Sequence, residues 1–148
     1  LVPTMINMFL SHPRFSEFDL SSFKRIYFGA APMPDGLLRR ALTTMPDVKF
    51  QQAWGMTELS PIATTMDPRF SVLDGPNAGH LRSCGQAVST VEVRIAGPDG
   101  NEMPRGEVGE VIVRGPTVMQ GYWNQPEATA AALRNGWMHS GDAGVMDE

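Results

Sequence analysis

The segment Gln51-Gln52-Ala53-Trp54-Gly55-Met56-Thr57-Glu58 lies near the middle of the chain and decides how the rest is interpreted. An apolar run, residues 48–50, precedes it, so the segment falls where a strand is predicted to end. Its aromatic ring suits a base, its glycine lets a ligand come close to the backbone, its hydroxyl suits a phosphate, and its carboxylate suits a metal ion. A structural interpretation is equally open, in which Thr57 caps a short helix and Glu58 interacts with its first turn.

The composition excludes several classes of protein. The 148 residues suffice for one domain or two small subdomains, and 42% hydrophobic with 19% charged residues describe a globular chain. The net charge of −4 argues against nucleic acid as a partner, because phosphate binding needs a basic surface. The single cysteine, Cys84, excludes an internal disulfide and a cysteine-based zinc cluster. Its isolation predicts a reducing, cytoplasmic setting.

The two ends of the chain and its apolar runs predict a soluble segment of a longer polypeptide. No apolar run approaches the ~20 residues of a transmembrane segment, and the first residues do not resemble a signal peptide. The chain begins with Leu1 rather than methionine, and Glu148 follows an apolar strand-like piece. We expect a cut at both ends to expose apolar surface, which makes a homo-oligomer possible.

Strand, helix and strand are predicted in the first third of the chain. Residues 24–31 alternate like a half-buried strand, residues 35–45 place their apolar side chains on one stripe of a helix, and residues 48–50 begin a second strand. Because units of these lengths normally join parallel neighbours, we predict a βαβ unit with a parallel sheet.

Both predicted strands are followed by residues suited to a ligand. Gly29-Ala30-Ala31-Pro32 follows the first strand, where small side chains permit close approach and Pro32 stops the ladder. The segment containing Trp54 follows the second strand. Ligands of such sheets bind beyond the carboxyl ends of the strands, so this arrangement favours a binding site.

The second half of the chain has a β pattern. Residues 91–95 and 107–114 alternate apolar and polar positions, and Gly97-Pro98-Asp99-Gly100 supplies a turn between them. This pattern predicts a small, mostly antiparallel sheet or barrel. The fold class is therefore α/β, with an α/β part over residues 1–80 and a β-rich, barrel-like subdomain over residues 81–148.

Three further segments complete the predicted organisation. Residues 62–80 are rich in proline and glycine and are predicted to be irregular. A helix is predicted with Asn124 as its cap and Pro126 in its first turn. Residues 137–142 are predicted to form a loop that presents the Asp142 carboxylate, although a simple turn role for Asp142 is as consistent with the sequence.

Four segments together resemble the adenylate-forming superfamily, which contains acyl-CoA synthetases, luciferases and peptide-synthetase adenylation domains. In the family's order they are Gly29-Ala30-Ala31-Pro32, Gln52 to Glu58, Gly109 to Trp123 with its Val113-Arg114-Gly115-Pro116 and Gly121-Tyr122-Trp123 pieces, and Gly136 to Asp142. The resemblance extends over essentially the whole chain. It implies part of the large N-terminal domain of such an enzyme.

The resemblance also implies a role for each matching position. Trp54 would stack on the base, Thr57 would bond the α-phosphate, and Asp142 would hold the ribose hydroxyls. Glu58 would bind Mg²⁺, which makes Thr57 and Glu58 the implied catalytic residues. The implied ATP-binding residues are Ala30, Ala31, Pro32, Gln52, Ala53, Trp54, Gly55, Met56, Thr57 and Asp142. Gly29 and Gly55 would border the acyl substrate.

The implied reaction joins a small carboxylic acid to coenzyme A, the co-substrate, in two steps. The carboxylate attacks the α-phosphate of ATP, which gives an acyl-adenylate and pyrophosphate, and the thiol of coenzyme A then displaces AMP. The wording Trp54-Gly55-Met56-Thr57-Glu58, with the Leu59-Ser60-Pro61 that follows it, most resembles fatty-acyl-CoA ligases. Aryl-CoA ligases and peptide-synthetase adenylation domains are alternatives, and so is a non-catalytic structural or interaction module on the same fold. The family's phosphate loop, hinge and catalytic lysine lie outside this chain, so we predict that the chain alone does not catalyse adenylation.

Overall fold

The computed structural model describes residues 1–147, which fold into two compact units. The first unit contains Leu1–Gly55 and Thr64–Gln86. The second contains Met56–Ala63 and residues 87–147. The short segment that carries Thr57 and Glu58 therefore belongs to the second unit. The domain boundary at residue 80 stays a prediction.

The first unit is built on the predicted βαβ arrangement. Strand β1 and strand β2 pair in parallel, with Arg25 opposite Lys49 and Gly29 opposite Ala53. The elements that begin in this unit are α1 (Pro3–Leu10), β1 (Arg25–Gly29), α2 (Asp35–Thr44), β2 (Lys49–Trp54), β3 (Thr64–Thr65) and β4 (Gln86–Ala87), with single 3-10 turns at Phe15–Glu17 and Pro68–Phe70. The sheet order is β1-β2-β3-β4. The α/β class is thereby confirmed.

Alternation along the strands places the core of the first unit on one face of the sheet. Ile26 and Phe28 are buried while Tyr27 between them is half exposed. Leu38 and Ala41 of α2 are buried in the same cluster as Phe50 of β2. Burying each of the larger side chains contributes roughly 1.5–3 kcal/mol, so this packing stabilises the helix against the sheet.

The strand boundaries differ from the prediction at both candidate segments. Strand β1 ends at Gly29, because Ala30 adopts a left-handed conformation with φ 63° and cannot continue the ladder. Strand β2 extends to Trp54, so half of the central segment is strand rather than the loop that follows it. Pairing with β3, in which Trp54 lies opposite Thr64, explains the extension.

The second unit contains the predicted antiparallel sheet. Its strands follow the order β5-β6-β8-β7. They are β5 (Glu92–Ala96), β6 (Val108–Arg114), β7 (Leu133–Arg134) and β8 (Trp137–Val145), and α3 (Pro126–Ala132) precedes β7. A 3-10 turn at Thr57–Leu59 belongs to the same unit. Within residues 1–147, no helix combines the length and apolar character that crossing a membrane requires.

Two local predictions in the second unit are wrong. Residues 137–142 lie in strand β8 rather than in a loop, because β8 pairs with β6 on both sides of a register shift. Gly141, with φ 76°, allows the strand to bulge there without ending. The N-cap of α3 is Gln125 rather than Asn124, which has φ 52° and lies one residue outside the helix.

Candidate functional site

The ends of β1 and β2 meet in the first unit, as the sequence predicts. Gly29 pairs with Ala53, and a Cβ added to Gly29 would lie 2.2 Å from the Ala53 carbonyl oxygen. Beyond Gly29, the predicted nucleotide-contacting residues Ala30, Ala31 and Pro32 are exposed. Residues 29–32 and the end of β2 therefore lie at the same edge of the sheet. The two strands approach closely there because glycine has no Cβ.

The end of β2 presents half-buried residues. Gln52, Ala53, Trp54 and Gly55 are all partly exposed. The side-chain amide of Gln52 donates to Cys84 Sγ at 3.7 Å. The main-chain carbonyl oxygen of Gln52 accepts the Met66 N–H at 2.9 Å. The orientation of Gln52 is thus set by residues of its own unit.

A buried polar residue next to these was missed in the sequence. Gln51, only 7% exposed, accepts from Arg25 Nη1 at 2.9 Å and donates to Thr65 Oγ1 at 2.8 Å. This chain of hydrogen bonds crosses β1, β2 and β3 on the face opposite Phe50. The only sequence signal was a polar residue inside a strand.

The Thr57–Leu59 turn carries two of the predicted site residues in the second unit. Its N-cap is Met56, which is half-buried, and no side chain makes a cap hydrogen bond. The interpretation of Thr57 as a helix cap is therefore wrong, and Thr57 is exposed. Leu59 is completely buried and anchors the turn, while Glu58 stays half-buried beside it.

Tyr122 holds the Glu58 carboxylate. Its hydroxyl donates to Glu58 Oε1 at 2.9 Å, and the Met119 N–H donates to the Glu58 carbonyl oxygen at 2.8 Å. The hydrogen bond to Glu58 raises the pKa of Tyr122, and burial and the negative charge of Glu58 act in the same direction. Sequence reasoning assigned no role to Tyr122, although it stands in the quoted Gly121-Tyr122-Trp123 piece.

Asp142 lies exposed on β8, in the same unit as Thr57 and Glu58. Its N–H donates to Ser140 Oγ at 3.1 Å, and the Ser140 hydroxyl donates to the Val111 carbonyl oxygen at 2.7 Å. The preceding Gly141 N–H donates to Glu110 Oε1 at 3.0 Å. The backbone that presents Asp142 is thus tied to strand β6.

Glu110 is the centre of a charged cluster beside Asp142. Its Oε2 lies 2.7 Å from His139 Nδ1 and 3.5 Å from Arg134 Nη2. Burial by itself raises the pKa of Glu110. The hydrogen bonds from His139 and Gly141 and the attraction of Arg134 outweigh burial, so this pKa lies below its ordinary value.

The free energy of unfolding is expected to depend on pH through Glu110. Because its pKa is lowered by folding, the ionised form stabilises the fold above the ordinary glutamate pKa of about 4.3, and this contribution is lost as pH falls through the lower folded-state pKa. At pH 7 we expect Glu110→Gln to be about 1 kcal/mol less stable than the original chain, because glutamine lacks the carboxylate that hydrogen-bonds to His139 and attracts Arg134. The difference should shrink as pH falls through the folded-state pKa of Glu110.

Urea unfolding at pH 7 and at pH 3 measures this difference. Glu107→Gln is the matched control, because Glu107 is exposed in the loop before β6. A stability difference for Glu110→Gln that does not change between pH 7 and pH 3 would contradict the assignment.

The carboxylates of residues 1–147 suit a Mg²⁺ ion that is bound together with a nucleotide. No group of three or more His, Cys, Asp or Glu side chains in that range is placed to hold a metal ion. Mg²⁺ usually keeps several waters and takes one or two protein carboxylates together with substrate phosphates. A single carboxylate such as Glu58 therefore fits an ion that arrives with nucleotide phosphates, rather than a resident metal.

Comparison with known proteins identifies the family. A model described as "AMP-binding enzyme" matches residues 1–123. The feruloyl-CoA synthase of Amycolatopsis sp is 44% identical over 146 residues, which are 99% of this chain and 28% of that protein. The indoleacetate–CoA ligase of Aromatoleum aromaticum is 38% identical over 147 residues, which are 99% of this chain and 27% of that protein.

A solved structure agrees with this result. The amide bond synthetase McbA from Marinactinospora thermotolerans superposes with a TM-score of 0.86 at 35% sequence identity, over 100% of this chain and 29% of McbA. This chain spans less than a third of the length of these relatives. It belongs to the AMP-binding enzymes, the adenylate-forming family that its four sequence segments resemble.

Proposed function

We propose that this chain is the nucleotide-binding part of an ATP-dependent acid–thiol ligase. The observation that carries the proposal is the Glu58 carboxylate, held half-buried by Tyr122 at 2.9 Å on the same unit as Thr57 and Asp142. Family membership and the names of the two related CoA ligases support it. We call the longer protein that would contain the chain the parent ligase.

We propose for each residue, unit by unit, a role that its chemistry allows. The Thr57 hydroxyl donates to the α-phosphate, Asp142 accepts from the ribose hydroxyls, and Trp54 offers a ring face to the base. Glu58 would hold Mg²⁺, which supplies charge neutralisation on the phosphates when bound. For the first unit taken by itself, residues 29–32, Gln52, Ala53 and Gly55 stay predicted nucleotide or acyl contacts. Met56 stays a predicted nucleotide contact of the second unit.

The reaction proposed for the parent ligase is balanced in two steps. A carboxylate oxygen bonds to the α-phosphorus as the bond from that phosphorus to pyrophosphate breaks. The thiol of coenzyme A then gives up its proton, its sulfur bonds to the acyl carbon, and AMP leaves as the bond between the acyl carbon and the phosphate oxygen breaks. The chain's own contribution is to place the nucleotide and to stabilise charge at the α-phosphate, which are the effects that dominate such transfers. A cytoplasmic location is consistent with these substrates and stays a prediction.

We propose an aromatic acid as the substrate, with a fatty acid as the alternative. The two related CoA ligases are named for ferulate and indoleacetate, which are aromatic acids. The fatty-acid alternative is supported by the Leu59-Ser60-Pro61 segment of the sequence.

Acid-dependent ATP–pyrophosphate exchange and CoA thioester formation by the parent ligase test both the reaction and the substrate. We expect kcat/KM to be at least about tenfold higher for ferulate or indoleacetate than for octanoate or palmitate, since pocket shape and packing usually discriminate by about 1–3 kcal/mol. The isolated 148-residue chain, assayed beside it, is expected to show no turnover. Higher kcat/KM for the fatty acids would replace the aromatic assignment by the alternative.

A further inference from the structure

The contact between Tyr122 and Glu58 joins two segments that are far apart in the sequence. The residues are 64 positions apart, and the phenolic hydroxyl donates to one carboxylate oxygen, Oε1, at 2.9 Å. Hydrogen bonds to a charged acceptor are stronger than bonds between neutral groups. The bond therefore restricts a side chain that otherwise has several rotamers.

The backbone of the segment that contains Tyr122 also fixes the turn that carries Glu58. The Met119 N–H donates to the Glu58 carbonyl oxygen at 2.8 Å, and the Ser60 hydroxyl donates to the Thr117 carbonyl oxygen at 2.9 Å. Residues 117–122 thus hold both the main chain and the side chain of the turn. We call residues 117–122 the clasp.

The clasp is itself anchored to helix α3. The Tyr122 N–H donates to Thr129 Oγ1 at 2.9 Å, and the Thr129 hydroxyl donates to the Gln125 carbonyl oxygen at 2.8 Å. A residue that orients a ligand must be oriented in turn, and supporting hydrogen bonds of this kind are what tune metal-binding side chains. Tyr122 meets that requirement, because its main-chain N–H is bonded to Thr129 and its hydroxyl is bonded to Glu58.

We propose that Tyr122 is a positioning residue that occupies Glu58 Oε1 and directs Oε2 to the Mg²⁺ carried by ATP. The inference rests on the proposed function. Its physical reason is that Mg²⁺ demands near-ideal octahedral geometry, so a carboxylate that presents one defined oxygen binds it better than one that rotates. Tyr122 touches neither the nucleotide nor the reacting atoms in this arrangement.

The test is the Mg²⁺ dependence of ATP binding by the parent ligase, measured calorimetrically at a series of Mg²⁺ concentrations. Tyr122→Phe keeps the ring and removes only the hydroxyl, and we expect it to raise the half-saturating Mg²⁺ concentration about tenfold, the effect of losing one charged hydrogen bond. Binding of ATP without Mg²⁺ should not change. Thr129→Val, which removes the acceptor of the Tyr122 N–H, should shift the curve less in the same direction.

The chain offers a matched control, because it contains two tyrosines. Tyr27 is half exposed on β1, and its hydroxyl accepts from Arg25 Nη1 at 3.1 Å in the first unit. Tyr27→Phe makes the same chemical change and should leave the Mg²⁺ curve in place. In a Glu58→Gln background, Tyr122→Phe should add nothing further to the Mg²⁺ dependence, since coupled residues are not additive.

The outcomes separate this inference from the proposed function. If the original parent ligase shows no Mg²⁺-dependent binding of ATP, the proposed function is overturned and the role of Tyr122 with it. If it does bind, the role of Tyr122 alone is overturned by any of three results: an unshifted curve for Tyr122→Phe, an equal shift for Tyr27→Phe, or full additivity with Glu58→Gln.

Discussion

Alanine at Glu58 or at Asp142 is expected to impair the use of ATP by the parent ligase, the first through the reaction rate and the second through ATP affinity. Loss of Glu58 removes the proposed metal ligand and should lower the rate of ATP–pyrophosphate exchange about 10²–10³-fold, the usual effect of removing one group that stabilises transition-state charge. Loss of Asp142 removes the proposed acceptor for the ribose hydroxyls and should weaken ATP binding about tenfold or more. Exchange rates and calorimetric ATP affinities measure the two effects.

The two variants should fail in different ways. Glu58→Ala should change how ATP binding depends on the Mg²⁺ concentration. Asp142→Ala should weaken the binding of ATP much more than it weakens the binding of 2′,3′-dideoxy-ATP, which lacks the ribose hydroxyls. Glu107→Ala and Asp99→Ala are matched controls, because both carboxylates are exposed in loops of the same unit and Asp99 accepts hydrogen bonds from Asn101 in its own turn. Unchanged ATP binding in both site variants would instead favour a structural or interaction module on this fold.

Gly29→Ala is expected to lower the free energy of unfolding by about 3 kcal/mol, which places it among the largest single-residue effects. The added Cβ would lie 2.2 Å from the Ala53 carbonyl oxygen, which is backbone in the neighbouring strand. Backbone in a parallel pair cannot move by an ångström without disturbing the ladder. Urea unfolding of the chain measures the effect.

Gly36→Ala is the matched control for that substitution. Gly36 lies in α2, and a Cβ added there meets nothing within 4 Å. Because alanine is favoured over glycine in a helix by about 1 kcal/mol, Gly36→Ala should be slightly more stable than the original chain. Equal stability of the Gly29 and Gly36 variants would contradict this prediction, because it would show that β1 and β2 can move apart at little cost to make room for the added Cβ. In that case the glycine would be explained by the proposed acyl pocket rather than by the fold.

Local periodicity was enough to predict β1, α2 and the start of β2 in the first unit and strands β5 and β6 in the second. The alternation of Ile26, Tyr27 and Phe28 and the apolar stripe of α2 repeat at the spacing of a strand and a helix, so neighbouring residues carry the information. The length of that helix then implied a parallel pair, which β1 and β2 form. The four family segments needed no structure either, because their order along the chain identifies them.

Strand boundaries were less predictable, because partners far along the chain set them. Strand β2 continues to Trp54 only because β3 pairs there, and residues 137–142 lie in a strand only because β6 accepts them across a bulge. Glycine and aspartate at positions 141 and 142 are typical of turns. Pairing with β6 overrode that local preference.

The chemistry of the site follows the same division. The sequence by itself determined which residue types are available: the hydroxyl of Thr57 and the carboxylates of Glu58 and Asp142. Tertiary structure decided how they are held, through the contact of Tyr122 with Glu58 across 64 positions and the contact of Gly141 with Glu110 across 31. The physical reason is that a hydrogen bond needs its two atoms within about 3 Å, and only the folded chain brings such distant residues that close.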